Sequence, residues 1–138
     1  MADRHNQMGS ELHRATKDLI EWSKRFSKPI IIFEGLSKMN PSQIESKTFR
    51  KKVARWIRGR LQKLSEYKAR WEGVPVLYVS PWNTSKQCSR CGGMGERSGL
   101  IFKCNKCGYS DYADRNTCYN IAIRGYVRAT KCDCYEYD

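Results

Sequence analysis

Two Cys-x-x-Cys knuckles, Cys88-Ser89-Arg90-Cys91 and Cys104-Asn105-Lys106-Cys107, stand twelve residues apart. Each knuckle lets two thiolates converge on one ion, and two knuckles complete a tetrahedron. A closed four-sulfur set of this kind holds structural zinc. Gly92, Gly93 and Gly108 follow the second cysteine of each pair, where a tight turn favours a residue without a Cβ. Four independent thiols or two disulfides are the alternatives, and the ligand spacing favours zinc over both. No fourth position is left open for a substrate, so zinc here builds structure and is not the reactive centre.

The chain has 138 residues, enough for one domain, or one small domain with an insert. Hydrophobic residues make up 40% of it, which suits a modest core. No apolar run approaches the roughly 18–20 residues that a membrane span requires. Met1-Ala2-Asp3-Arg4-His5 is polar and lacks a signal-peptide core. Seven cysteines, four spaced for metal, suit a reducing compartment, so the expected location is cytoplasmic. Of the others, Cys118 is expected to pack on a helix. Cys132 and Cys134 read as exposed thiols in an acidic, tyrosine-rich tail, or as two ligands of a second metal site.

Net charge is +12 and is concentrated. From Lys47 to Trp71 ten basic residues face one acid, Glu66. A solvated helix face usually interleaves both signs. A surplus of this density on one element is the footprint expected for phosphate backbones, so nucleic acid is the predicted partner. Arg50, Lys51, Arg55 and Arg58 are the candidate phosphate contacts.

Residues 11–26 read as an amphipathic helix with Leu12, Ala15, Leu19, Trp22 and Phe26 on one stripe and Ser10 as its N-cap. Pro29 stops it. Ile30 to Phe33 is a short β-branched run ending at Glu34-Gly35, the signature of a buried strand. Residues 36–46 read as a loop. A long helix from Lys47 to Trp71 carries Phe49, Val53, Trp56, Ile57, Leu61, Leu64, Tyr67 and Trp71 on its apolar stripe, and Gly73 ends it. Val74 to Ser80 is a second strand, the ribbon occupies about 84–112, and a last helix runs from Asp114 to about Tyr126. The tail from Ala129 is expected to fray. This order is α/β with a metal-bound insert. Two short strands make a poor free-standing sheet, so the sequence reads as part of a larger domain.

Two carboxylate positions stand out. Glu34 directly follows an apolar strand, and ligand sites in α/β sheets gather at strand carboxyl ends. A cation such as Mg²⁺ would offset the cost of a carboxylate there, although a solvent-facing strand-end Glu is equally ordinary. Asp111 and Asp114 precede the last helix, where Asp114 is either an N-cap or a ligand.

The run Pro81-Trp82-Asn83-Thr84-Ser85-Lys86-Gln87-Cys88-Ser89-Arg90-Cys91-Gly92 resembles the Pro-x-x-Thr-Ser-x-x-Cys-x-x-Cys-Gly lead-in to the zinc ribbon of the insertion-sequence OrfB/TnpB family. Cys104-Asn105-Lys106-Cys107-Gly108, then Asp114-Arg115-Asn116 and Asn120-Ile121, resemble that family's Asp-x-Asn-x-x-x-Asn-Ile exit. Tyr67-Lys68-Ala69 with Gly73 and Val76, Ile31 to Leu36, and Leu12-His13 are similar to its upstream motifs. The resemblance covers about residues 10–125.

The family comprises transposon-encoded, RNA-guided DNA nucleases related to type V CRISPR effectors, with a RuvC-like, RNase-H-type core. The resemblance implies that Glu34 and Asp114 are the second and third catalytic acids, holding Mg²⁺, and that Cys88, Cys91, Cys104 and Cys107 hold zinc. It implies a partial RuvC-like core over 1–83, the ribbon over 84–112, the last core helix over 113–128 and a tail over 129–138. DNA and a guide RNA are the implied partners.

The family's first acid lies on a first strand in a Gly-Ile-Asp-like context, and nothing before Ile30 matches it. Gly35 stands where the family usually has Asp or Asn. The first strands of the core are therefore expected to come from another chain that supplies the N-terminal half. The isolated chain is expected to be inactive. A non-catalytic, zinc-ribbon nucleic-acid-binding remnant or accessory protein is the alternative reading.

Overall fold

The computed structural model describes residues 2–35 and 49–131, side chains of 2–6 and 49–53 excepted. The predicted loop over 36–46 and Cys132 and Cys134 lie outside the described residues. The chain divides into two compact units, Met1–Leu77 and Tyr78–Asp138.

The first unit holds α1 (Ala2–Ser23), β1 (Ile31–Glu34) and α2 (Phe49–Trp71). Strand β2 (Val76–Val79) runs across the boundary and pairs with β1 in a two-stranded sheet. Helix α1 packs on α2. Ile20, Ile31, Ala69 and Val74 are buried together, with Leu19, Phe33 and Val76 against them.

The buried face of α1 is Leu12, Thr16, Ile20 and Ser23, at helical spacing. It is rotated from the predicted stripe: Ala15 is exposed, and Trp22 and Phe26 are each 53% exposed, meeting edge-to-face at 5.0 Å. Polar residues can occupy this face because their hydroxyls are satisfied locally. Thr16 Oγ1 donates to the Leu12 carbonyl (2.9 Å) and accepts from Lys68 Nζ (2.7 Å), and Ser23 Oγ donates to the Ile20 carbonyl (2.7 Å). Ser10 lies inside α1 and is not its cap. The helix stops at Ser23, several residues before Pro29.

Helix α2 buries Ser65 and Ala69, small residues that permit close approach to α1, whereas Trp56, Tyr67 and Trp71 of the predicted stripe are exposed. Its end is a Schellman motif. Gly73 adopts φ 69°, Val74 N–H donates to the Ala69 carbonyl (2.8 Å), and Gly73 N–H donates to that of Arg70 (3.3 Å). Val74 and Ala69 share the core, which supplies the apolar contact of that motif.

In the second unit β3 (Gly95–Ser98), β4 (Ile101–Cys104) and β5 (Ser110–Tyr112) form an antiparallel sheet in the order β3-β4-β5. Its core is Cys88, Phe102, Cys104 and Ala113, with Tyr109 packed on it. Gly95 is obligatory here for reasons of space. A Cβ there would meet the Lys103 carbonyl oxygen and lie 2.5 Å from Phe102 Cζ, and Phe102 is fully buried. Gly95→Ala is therefore expected to cost about 2–3 kcal/mol through forced displacement of β4. A lowered unfolding midpoint in urea checks this, and an unchanged midpoint would show that the strand gives way freely.

Helix α3 (Ala113–Lys131) completes the unit. Its residues Ala129–Lys131 are helical where fraying was expected. Its buried face is Ala113, Asn116, Asn120 and Gly125, so Cys118 is exposed rather than packed. Among the described residues no helix is long and apolar enough to cross a membrane.

Candidate metal centre

The two knuckles bring Cys88, Cys91, Cys104 and Cys107 together, with all four Sγ atoms within 4.8 Å of one another. Cys88 and Cys107 Sγ are 3.8 Å apart, and Cys91 and Cys104 Sγ are 3.6 Å apart. A zinc–sulfur length of about 2.3 Å makes the edge of a regular tetrahedron about 3.8 Å, so the donor set fits zinc. The strands set this spacing: the bridge Gln87–Met94 and the pair Gly95–Cys104 hold the first knuckle against β4.

Backbone amides aim at the sulfurs. Gly93 N–H donates to Cys91 Sγ, and Lys106 and Cys107 N–H both donate to Cys104 Sγ, each at 3.4 Å. The Cys107 amide is the main reason that the Cys104 thiol is pulled down to about 6, helped by the Lys106 amide and opposed by burial. Cys107 receives a lowering amide contact from Tyr109. The neighbouring thiols and burial outweigh it and push Cys107 up to about 11.

Helix α3 is bolted to this centre by two asparagines one turn apart. Asn116 Nδ2 donates to the Gln87 carbonyl (2.8 Å) and its Oδ1 accepts from Ser89 N–H (2.9 Å). Asn120 Nδ2 donates to the carbonyls of Thr84 (2.8 Å) and Gln87 (2.7 Å). Arg124 adds bonds to the Ser80 carbonyl (2.7 Å) and Gln87 Oε1 (3.0 Å), and Arg128 bonds the Tyr78 carbonyl. The sequence displayed the two asparagines, but their role as clamps emerges only from the fold. Their four-residue spacing, which puts both on one face of a helix, was the available signal.

Asp114 lies in the first turn of α3, which begins at Ala113, so it is not the N-cap. Its side chain is 80% exposed and accepts from Arg97 Nη1 of β3 at 3.1 Å. Sequence reasoning missed Arg97, because a single basic residue on a short strand carries no pattern. Asp111 has a structural role. Its carboxylate accepts from Tyr109 Oη (2.7 Å), Tyr112 N–H (2.7 Å) and Arg115 (2.7 Å to Nη2), and the Tyr109 bond and then the arginine hold its carboxyl below the usual range.

Glu34 ends β1 in the first unit and is partly buried. Its carbonyl accepts from Gln62 Nε2 of α2 at 3.0 Å. Of the candidate phosphate contacts, Arg58 is exposed and its Nε reaches the Ala54 carbonyl (3.4 Å), while Arg55 is partly buried. The side chains of Arg50 and Lys51 lie outside the described residues.

Residues 59–121 match the Cas12f1-like, TNB domain family. A TnpB-like protein of Methanocaldococcus jannaschii is 36% identical over 97 residues, taking in 70% of this chain and 35% of that protein. A second TnpB-like protein of the same organism is 37% identical over 129 residues, or 93% of this chain and 57% of that protein. The chain thus spans between about a third and three-fifths of these relatives. The Cas12f1 chain in a cryo-EM structure of a Cas12f1–sgRNA–target DNA complex superposes with a TM-score of 0.69 at 23% identity, covering 87% of this chain and 34% of that one. That likeness establishes the fold: a mixed helix and sheet arrangement with an inserted four-cysteine ribbon.

Proposed function

Since the chain belongs to the TnpB/OrfB family, among the relatives of the type V effectors, we propose that it forms the C-terminal, RuvC-type part of a transposon-associated DNA endonuclease that uses a divalent metal. DNA is its substrate and a guide RNA its second partner. In this reading residues 1–83 belong to the nuclease core, 84–112 are the ribbon and α3, Ala113–Lys131, is the last core helix. The observation that best supports it is the mounting of Asp114. Two buried asparagines clamp α3 to the zinc knuckle, and the first turn of that helix presents an exposed carboxylate to Arg97.

Glu34 and Asp114 are the two acids proposed to hold Mg²⁺. Divalent cations bound by such carboxylates supply Lewis-acid charge and an ionised water for phosphodiester hydrolysis. The surrounding side chains have complementary work. Arg97 pairs with Asp114 at 3.1 Å and sets a cation beside the place where charge develops on a phosphate. Arg50, Lys51, Arg55 and Arg58 of α2 hold the backbone phosphates, so affinity falls steeply with salt. Asp111, saturated by four hydrogen bonds, takes no part in the chemistry.

The test is complementation. The 138-residue polypeptide alone is expected to bind DNA without cutting it. Adding a polypeptide that carries the first strands and a first acid should produce Mg²⁺-dependent cleavage. Glu34→Ala or Asp114→Ala should abolish it with zinc content unchanged. Joint replacement of Arg50, Lys51, Arg55 and Arg58 by Ala should weaken binding alike on all sequences. Robust cleavage by the chain alone, lost in Glu34→Ala, would overturn the need for a third acid. Binding without cleavage under every complement would instead favour a non-catalytic zinc-ribbon nucleic-acid-binding protein.

A further inference from the structure

One side chain of α2 reaches the end of β1 at the acid proposed to hold Mg²⁺. Gln62 Nε2 donates to the Glu34 carbonyl at 3.0 Å in a partly buried setting. Gln62 precedes Ser65 and Ala69, both buried, by three and seven residues, so it continues the face that α2 turns inward. An inward face ordinarily takes apolar side chains. Here it becomes polar where α2 meets the last residue of β1.

We propose that Gln62 is a positioning residue for Glu34, fixing the backbone from which the carboxylate is presented to a divalent cation. The proposal rests on the reading of Glu34 as a metal ligand and adds what holds that ligand in place. Three observations support it. First, the bond is made to the backbone carbonyl and not to the carboxylate, so it orients the residue without consuming a ligand oxygen. Second, Glu34 ends β1, and among the described residues β1 has one neighbouring strand, β2. A carbonyl at such a strand end needs a partner from outside the ladder, and Gln62 supplies it. Third, Gly35 follows, with no side chain to anchor the strand end and with the freest backbone of any residue. The carbonyl that Gln62 holds belongs to the peptide between Glu34 and Gly35, at the point where that freedom begins.

A carboxylate oxygen is the hard donor that Mg²⁺ takes, and a working site has to be held to within about 0.5 Å of its productive geometry. An amide that pins the ligand residue's own peptide meets that demand from outside the coordination sphere.

The experiment is a Mn²⁺ titration of the full, zinc-loaded chain, read by paramagnetic broadening of backbone amide signals. Mn²⁺ stands in for Mg²⁺ because both prefer carboxylate oxygen. In wild type the Glu34 and Gly35 amides are expected to broaden, and excess Mg²⁺ to restore them. Glu34→Gln should remove the effect. Gln62→Met keeps the side-chain length and removes the donor. It should raise the Mn²⁺ concentration for half-broadening about ten-fold, the lower end of what losing an outer support costs a metal site. In that variant the amides of Ala69 and Val74 in the core should keep their positions, which separates a misplaced ligand from a disrupted fold. Broadening in Gln62→Met at the wild-type concentration would overturn the positioning role and leave Glu34 a ligand. No broadening in wild type, or broadening that survives in Glu34→Gln, would defeat the metal reading of Glu34 and the proposal with it. If Gln62→Met unfolds, a wild-type measurement decides. A bond that favours cation binding is itself favoured when the cation is bound, so the Gln62 Nε2 protons should exchange with solvent more slowly at saturating Mg²⁺. Unchanged exchange there would refute the positioning role.

Discussion

Cys104→Ser is expected to abolish the fold of residues 84–112. Cys104 is buried, pairs with Gly95 across the hairpin and receives two amide bonds at its sulfur. Among the described residues the buried core cluster here is Cys88, Phe102, Cys104 and Ala113 of α3, so two of the ribbon's three members are candidate metal ligands. Structural zinc contributes about 10–16 kcal/mol in small metal-built domains, against a typical whole-domain stability of about 5–15 kcal/mol. Without the fourth ligand nothing of comparable size holds β3, β4 and β5 together. Chelation should act in the same way, and so should acid. The Cys104 thiol falls in the folded cluster from an ordinary value near 9.0 to about 6. A depressed acid stabilises the folded state fully above its unfolded value and loses that contribution as pH falls through the folded one. Protons also compete with zinc for every thiolate. Zinc should therefore be retained at pH 8 and released progressively as the solution is acidified, because every bound thiolate must take up a proton as the ion leaves. A zinc-indicator titration and the amide spectrum of the ribbon read both effects. A Cys104→Ser chain that keeps a dispersed ribbon spectrum and a full equivalent of zinc would contradict the argument.

The sequence spoke most clearly where chemistry demands fixed spacing. The cysteine knuckles marked out the cluster that could hold a metal, because four thiolates must reach one ion and few spacings allow it, and the four Sγ atoms do converge. Gly73 declared the end of α2, because its φ of 69° is strained for other residues. Apolar periodicity was a weaker guide. The stripe drawn through Trp22 and Phe26 missed a face built from Thr16 and Ser23, since hydroxyls that bond their own helix's carbonyls bury almost as readily as alanine. The same preference for large side chains placed Trp56, Tyr67 and Trp71 inward, where α2 instead presents Ser65 and Ala69 to α1. Contacts between residues far apart in the chain left no local trace. Arg97 and Asp114 are 17 residues apart, and Asn120 and Thr84 are 36 apart. Neither pairing follows from the residues flanking either member.

Asn116 should be the least replaceable polar side chain in the second unit. It is fully buried and uses its donor and its acceptor on the two residues that flank Cys88, giving to the Gln87 carbonyl and taking from Ser89 N–H. In Asn116→Ala the Gln87 carbonyl keeps its bond from Asn120, but Ser89 N–H loses the only partner seen for it among the described residues. A partly buried donor left without its partner, together with the cavity left by the fully buried amide, should cost about 1–3 kcal/mol. Asn116→Asp discriminates packing from hydrogen bonding, because its volume is the same. One carboxylate oxygen can still accept from Ser89 N–H, while the other faces the Gln87 carbonyl, acceptor against acceptor. That clash favours the protonated acid, so the Asp variant should regain stability as pH falls, until zinc itself is lost. Ser89 lies between the ligands Cys88 and Cys91, so the same substitutions should speed zinc release, a change that loosening α3 alone would not produce. Urea unfolding and zinc-release kinetics on Asn116→Ala, Asn116→Asp and wild type decide the matter. Wild-type release rates in both variants would show that the clamp holds only the helix and not the metal centre.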